Sequence, residues 1–171
     1  ELLKDVGISI NLPDRTYFPT TNQKDLAFQV VKPQIVSNLL ANNKADVGFA
    51  GKDWVYENGV ENEVEEIMDL GFDKVRIVAA VPNAIDDNQL KSKRVIVATE
   101  YENISKRWLD SEKIDSLVVR TYGATEVFPP DDADMIIDNT ATGRTLVENG
   151  LRIVDTIMTS STRMFASKEA M

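Results

Sequence analysis

Short apolar runs bounded by Gly, Pro, Asn and Asp recur along this chain, and between them apolar residues fall at helical spacing. Residues 1–7 read as the last turns of a helix that ends at Gly7. Residues 8–12 alternate apolar and polar as a half-buried strand does, Pro13-Asp14-Arg15 is a turn, and residues 26–31 are a second strand candidate. Lys32-Pro33-Gln34 opens a helix with Pro near its first position, Ile35, Val36, Leu39 and Leu40 form its apolar face, and Asn42-Asn43 closes it. Asp46-Val47-Gly48-Phe49-Ala50 is a short strand that runs into Gly51-Lys52-Asp53-Trp54, where Asp53 can cap the next helix. Residues 57–66 are a solvated acidic stretch. Residues 75–81 are strongly apolar and end at Pro82, and the polar residues 83–93 mark a lobe boundary.

The pattern then repeats in kind. Residues 94–99 form a buried strand with Glu100-Tyr101-Glu102-Asn103 after its C-terminal end, and a helix follows with Ile104 and Trp108 at i,i+4. Residues 116–122 are the next strand, leading into Gly123-Ala124-Thr125-Glu126. After the turn Pro129-Pro130-Asp131-Asp132 comes a third, Met135-Ile136-Ile137, tipped by Asp138. Thr140, Ala141, Thr142 and Gly143 make a small loop, and a helix runs from Thr145 through Leu146 and Val147 to a stop at Asn149-Gly150. Residues 151–158 are apolar, and residues 159–166 read as a strand returning to the first part of the chain. This order predicts an α/β chain of two lobes, residues 1–82 with 155–171 and residues 83–154, the second built on a small parallel sheet. The ligand corners at the strand tips face the cleft between the lobes.

Composition narrows the chemistry. The chain has 171 residues, 43% apolar and 27% charged, enough for a core and one or two small lobes. It has no Cys and no His, which removes disulfides, thiolate chemistry, imidazole acid–base work and His metal sites. A net charge of −9 argues against a nucleic-acid partner. No apolar run approaches the roughly 18 residues of a membrane span, and no signal-peptide pattern opens the sequence, so no membrane partner and a cytoplasmic location are expected. An anionic ligand must then be held by local amides, a few Arg or Lys, and a divalent metal carried in with it.

The strand ending in Asp138 and the loop after it have the layout that holds a phosphate attached to a sugar. Loop amides and the start of a helix face the phosphate, and the acid accepts hydrogen bonds from ribose hydroxyls. The same residues also fit a plain strand–loop–helix corner whose Thr residues only cap the helix. Gly48-x-x-Gly51 is open in the same way, either as bare backbone beside a ligand or as an ordinary tight turn.

Taken in order, the motifs carry more than each does alone. Residues 45–54, Asp69-Leu70-Gly71, residues 97–103, residues 123–127, residues 138–146 and Asn149-Gly150-Leu151 together resemble ATP phosphoribosyltransferase, over nearly the whole chain. The resemblance implies an α/β, two-lobe type II periplasmic-binding-protein-like fold with the active site in the interlobe cleft. It implies transfer of the phosphoribosyl group of 5-phosphoribosyl-1-pyrophosphate to N1 of ATP, with release of pyrophosphate and with Mg²⁺ as cofactor, the first step of histidine biosynthesis. By motif, Asp138 is the catalytic residue on the ribose hydroxyls, and Thr140, Ala141, Thr142, Gly143, Arg144 and Thr145 surround the phosphate. Gly48, Ala50, Gly51, Asp53, Glu100, Tyr101, Asn103, Gly123, Ala124, Thr125 and Glu126 line the cleft for ATP, with Lys32 and Arg15 on its phosphates. No residue is assigned directly to the metal, which enters with substrate. The absence of His agrees with this chemistry, because displacement at an anomeric carbon needs positioning and charge stabilisation more than a strong base.

The family opens with a strand and a Lys-Gly-Arg turn that this chain lacks, and it continues past the equivalent of Ala166. The chain is therefore expected to be trimmed at both ends. A homo-oligomer is expected, with a regulatory subunit or a C-terminal regulatory domain outside this chain. Two other readings stand beside the enzyme: a non-catalytic small-ligand-binding module of the same fold, as in a solute receptor or effector-sensing domain, and an inactive paralogue kept as a partner subunit.

Overall fold

The computed structural model describes residues 2–14 and 16–171. The chain opens with α1 (Leu2–Asp5) and a two-stranded antiparallel hairpin, β1 (Ile10–Asn11) with β2 (Thr20–Thr21). Residues 26–31, expected as a strand, form none. Val30 makes one backbone bond to the Tyr17 carbonyl, and both Leu26 and Val30 remain exposed. An apolar run becomes a strand only where a ladder partner satisfies its amides, and among the described residues none pairs with it.

From residue 32 the expected elements follow. α2 (Pro33–Ala41) starts on its proline and buries Leu40. β3 (Val47–Gly51) leads into α3 (Lys52–Asn58), which the left-handed Gly59 closes. β4 (Val64–Pro82) is far longer than the apolar run at its end. α4 (Asp87–Leu90) lies within the stretch expected to be loop, held by a capping box from Asp86 and Gln89. β5 (Val95–Thr99), α5 (Glu102–Ser111), β6 (Ser116–Arg120), β7 (Met135–Thr140), α6 (Arg144–Glu148) and β8 (Leu151–Ser167) complete the chain.

Six strands form one sheet in the order β3-β8-β4-β7-β5-β6. β5 runs parallel to both β6 and β7, while β3, β4 and β8 pair antiparallel, as do β4 and β7. The sheet is therefore mixed as a whole, and β6, β5 and β7 within it are the small parallel set expected of residues 83–154. β7 joins the two kinds of pairing, with Ala98↔Ile136 on one side and Ala80↔Ile136 on the other.

The β4–β8 ladder runs from Val64↔Ser167 to Pro82↔Leu151. Its middle is irregular at Asp69-Leu70-Gly71-Phe72-Asp73, where Gly71 has a φ of +68° and its N–H donates to Asp69 Oδ1 at 2.9 Å. The hydroxyl of Ser161 holds the same oxygen at 2.7 Å, and that hydrogen bond leads the causes that lower the Asp69 pKa. Beyond this bulge β4 gains β7 as a second neighbour, and its side chains become buried on both faces. Ile77, Ala79 and Val81 pack with Val95, Val97, Met135, Ile137 and residues of α5. Val78 and Ala80 pack with Ala98, Ile136 and Leu146 on the opposite face. Residues 77–81 thus share their cores with residues of 83–154, while β3 pairs with the far end of β8, Val47↔Ala166 to Gly51↔Thr162.

Glu57 was read as part of a solvated stretch and is instead buried, at 7% exposure. Its carboxylate accepts the N–H groups of Asn103 and Ile104 at 3.0–3.1 Å, and Asn103 Nδ2 returns a bond to the Glu57 carbonyl at 2.8 Å. An acid from α3 therefore caps α5, with the Trp54 and Tyr101 rings stacked beside it, centroids 4.6 Å apart. Replacing Glu57 by Ala leaves the buried Ile104 amide and the part-buried Asn103 amide without their acceptor. The expected loss is about 1–3 kcal/mol of stability, read as a lower urea midpoint at unchanged m. An unchanged midpoint would show that water satisfies those amides equally well.

Candidate functional site

The carboxyl ends of the parallel strands β7, β5 and β6 lie together, and the candidate residues gather there. Thr99 at the end of β5 ties the tips: its hydroxyl donates to the Ile137 carbonyl at 2.6 Å and accepts from the Tyr101 N–H at 2.8 Å. Its carbonyl accepts the Thr121 N–H at 2.8 Å, and Thr121 and Thr125 share a hydroxyl hydrogen bond at 2.9 Å. Gly123 takes a φ of +103° and Ala124 a φ of +50°, which folds residues 123–126 back toward β5 and β7. A Cβ at Gly123 would sit 3.9 Å from Glu100 Oε1.

Asp138 was expected at the tip of its strand and lies within β7, which continues past it to Thr140. Its Oδ1 accepts the Asn139 N–H at 2.7 Å. Burial raises its carboxyl to about 6, and Glu100 and Glu126 push the same way. The Asn139 N–H and the Thr125 hydroxyl oppose this by stabilising the carboxylate. Three acids therefore stand together at the strand tips, the arrangement that perturbs a reactive carboxylate.

A chain of hydrogen bonds, buried at Asp53 and Tyr101, reaches Asp138 through Asn139. Asn139 Nδ2 donates to the Tyr101 hydroxyl at 3.0 Å, and that hydroxyl donates to Asp53 Oδ2 at 2.9 Å. Ser160 Oγ donates to Asp53 Oδ1 at 2.6 Å. Burial, reinforced by the Asp53 carboxylate, pushes the Tyr101 phenol above its ordinary range, so it stays a donor. Asp53 and Tyr101 were expected to line the cleft, and Asp53 to cap α3. Both are buried, and their polar atoms serve this network.

Other expectations change too. A Cβ at Gly48 would meet Val36 Cγ1 at 2.5 Å, so this glycine makes room for α2. A Cβ at Gly51 would strike Asp53 Oδ1 at 2.2 Å, which places it against the buried network. Ala50 is buried opposite Arg163 of β8, and Asn103 is engaged by Glu57. Lys32 is exposed at the start of α2, and Arg15 lies outside the described residues.

In the loop after β7, the Thr140 hydroxyl accepts the Gly143 N–H at 2.9 Å and the Thr142 hydroxyl accepts the Arg144 N–H at 3.3 Å. Two amides expected to face an anion are thus taken by the loop's own hydroxyls, whose O–H groups remain as donors. Ala141 and Thr145 are exposed, and Gly143 takes a φ of +81°. Arg144 was expected to add charge to the loop. Its Nε instead pairs with Glu148 at 2.7 Å along α6, with the side chain 83% exposed. Sequence reasoning missed Asn139, Ser160 and Arg76. The last had a signal, being the one charge inside the apolar run 75–81, and its guanidinium reaches the Gly143 turn.

The model of the family described as ATP phosphoribosyltransferase, HisG, matches residues 32–171. The chain belongs to the ATP phosphoribosyltransferase family. An ATP phosphoribosyltransferase of Chlorobium phaeovibrioides is 36% identical over 99% of this chain and 59% of the relative. The chain spans 58–60% of the length of such curated relatives. Among solved structures, an ATP phosphoribosyl transferase (HisG:HisZ) complex from Thermotoga maritima superposes with a TM-score of 0.85 at 26% identity, over 98% of this chain and 80% of that one. A probable amino-acid ABC transporter extracellular-binding protein from Bacillus subtilis matches with a TM-score of 0.51 at 13% identity, over 83% of this chain and 66% of that one. Family and neighbours agree on a two-lobe, type II periplasmic-binding-protein-like fold. Among the described residues, no helix is long and apolar enough to cross a membrane.

The raised Asp138 has a consequence for stability in this family member. The fold disfavours its carboxylate, so at pH 7 ionised Asp138 costs stability, and the cost disappears as pH falls through about 6 toward the unfolded value of 3.8. Asp138→Asn is therefore expected to melt higher than wild type at pH 7, with the gap closing at pH 4.5. A lower melting temperature for Asp138→Asn at pH 7 would contradict this account of the site.

Proposed function

We propose that the full-length protein is an ATP phosphoribosyltransferase acting in the first step of histidine biosynthesis. It joins N1 of ATP to C1 of 5-phosphoribosyl-1-pyrophosphate as the C1–O bond to pyrophosphate breaks. The observation that carries the proposal is Asp138 held beside the left-handed Gly143 turn at the parallel strand ends, in a chain of this family. The carboxylate accepts the ribose hydroxyls and faces the positive charge that develops on the sugar in the transition state. The Tyr101–Asn139 bond keeps the neighbouring amide in place, and Asp53 anchors Tyr101 in turn.

Mg²⁺ belongs to the same proposal, as an ion that arrives on the donor's pyrophosphate and offsets charge on the leaving group. A cytoplasmic location and a homo-oligomer, with a regulatory subunit or further domain, are proposed as well. Support for assembly comes from the Thermotoga maritima complex and from exposed Ile96, Leu117 and Val119 on paired strands β5 and β6. A solute-receptor role rests on fold likeness alone.

The test is pyrophosphate release from ATP and donor with Mg²⁺ by the full-length protein. Asp138→Asn should lower kcat by about 100-fold or more while changing donor KM less. Wild-type kcat/KM should fall as pH drops below about 6, where Asp138 gains its proton, and the variant should lose that limb. Turnover by Asp138→Asn at the parental rate would remove Asp138 from the mechanism.

A further inference from the structure

The phosphoribosyl site stands among acids, and the arginine of its own loop, Arg144, is turned to a neighbouring acid. Glu100 and Glu126 lie near Asp138, and Arg144 is folded onto Glu148. Arg76 is placed differently. It sits in β4 between Thr140 of β7 and Thr159 of β8. Strand alternation puts its side chain on the face of Val78 and Ala80, the face on which β7 carries Ile136, Asp138 and Thr140. The guanidinium ends at the loop: its Nη2 would lie 3.8 Å from a Cβ built on Gly143. Among the described residues Arg76 has no ion pair and no side-chain hydrogen bond, unlike Arg94, Arg107, Arg120, Arg144 and Arg163.

The Arg76 side chain is half-buried while its guanidinium nitrogens still reach solvent, so its five N–H donors are open to an arriving carboxylate or phosphate. The Gly143 turn is packed against Ile153 Cδ1 and Arg76 Nη2, 3.6 and 3.8 Å from the position of a Cβ on Gly143. Gly143 has no side chain to block the approach, and the Thr140 and Thr142 oxygens already hold the loop amides, leaving their O–H groups to donate. Donors thus converge from a strand and a loop on one small volume.

We propose that Arg76 binds the 5-phosphate of the phosphoribosyl donor, its guanidinium donating to the phosphate oxygens while Asp138 takes the ribose hydroxyls. This rests on the function proposed above. It assigns the substrate's two ends to two neighbouring strands, β4 for the phosphate and β7 for the sugar. Arg76 is a binding residue here and takes no part in bond making.

The experiment uses the full-length protein, with Arg76→Gln and Arg76→Lys and with circular dichroism to confirm folding. Ribose 5-phosphate is titrated calorimetrically, with ribose as the probe that lacks the anion, and donor and ATP KM values are measured in parallel. Arg76→Gln should weaken ribose 5-phosphate binding and raise donor KM by about tenfold to 100-fold, the range of charge-assisted hydrogen bonds. ATP KM should stay within twofold, and Arg76→Lys should recover part of the loss. Ribose 5-phosphate affinity and donor KM within twofold of wild type in Arg76→Gln would overturn the assignment, as would a change in ATP KM alone. The two claims separate cleanly. Loss of ribose 5-phosphate affinity in Arg76→Gln with no pyrophosphate release by wild type sustains Arg76 and refutes the enzyme. Turnover that ignores Arg76 does the reverse, and no binding and no turnover by wild type refutes both.

Discussion

Everything at the candidate site depends on one ladder, the antiparallel pairing of β4 with β8. At one end it carries β3 and α3, and at the other β7 with the parallel pair beyond it. Because both strands run unbroken through the sheet, residues far apart in sequence are held at fixed distance. Ser160 meets Asp53 across 107 positions, and Tyr101 meets Asp53 across 48. The irregularity at residues 69–73 lets the ladder change neighbours without ending. It is secured by side-chain bonds from Ser161 and Thr162 and by an ion pair from Arg163 to Asp69. Loss of that pairing would separate the two halves that bring Asp138 and its supporting network together.

The supporting network is unusual in its charge. The buried Asp53 carboxylate accepts two hydroxyls and, among the described residues, pairs with no cation, and Glu57 is buried against the amides of α5. Burial raises the Glu57 pKa, with neighbouring Glu102 adding to it, against the two amides. Acids placed inside the molecule and at the strand tips give this region a strongly negative character, in a chain whose net charge is −9. A site of that kind favours a developing cation and resists an anion unless local donors answer it. The hydroxyls of the 140–143 loop and the guanidinium of Arg76 are the groups so placed.

Much of the fold was legible because its signals are local. Pro33 opening α2, Gly59 closing α3 and the run Met135-Ile136-Ile137 each express a backbone or burial preference that neighbours do not override. The first half of β4 was illegible for the opposite reason. It pairs on one side only and stays exposed, so its sequence shows the charges of a surface and no burial pattern. The site divides along the same line. Asp138 and the Gly143 turn could be found from residue types in order. The role of Asp53 could not, since its partners are a tyrosine and a serine brought to it by the sheet. Gly48 shows the hazard of motif logic alone, because a bare backbone serves helix packing as readily as a ligand. Arg76 was visible as a charge in an apolar run, but only the β4–β7 register shows that it reaches the loop.

The measurement that tests the account most directly is the crystal structure of the full-length protein soaked with 5-phosphoribosyl-1-pyrophosphate and Mg²⁺. The account predicts density for one donor molecule at the parallel strand ends, with its ribose hydroxyls on Asp138 and its 5-phosphate at residues 140–143. A donor seated elsewhere, such as at the Gly48–Asp53 corner or against α2, with the residues around Asp138 empty, would contradict it.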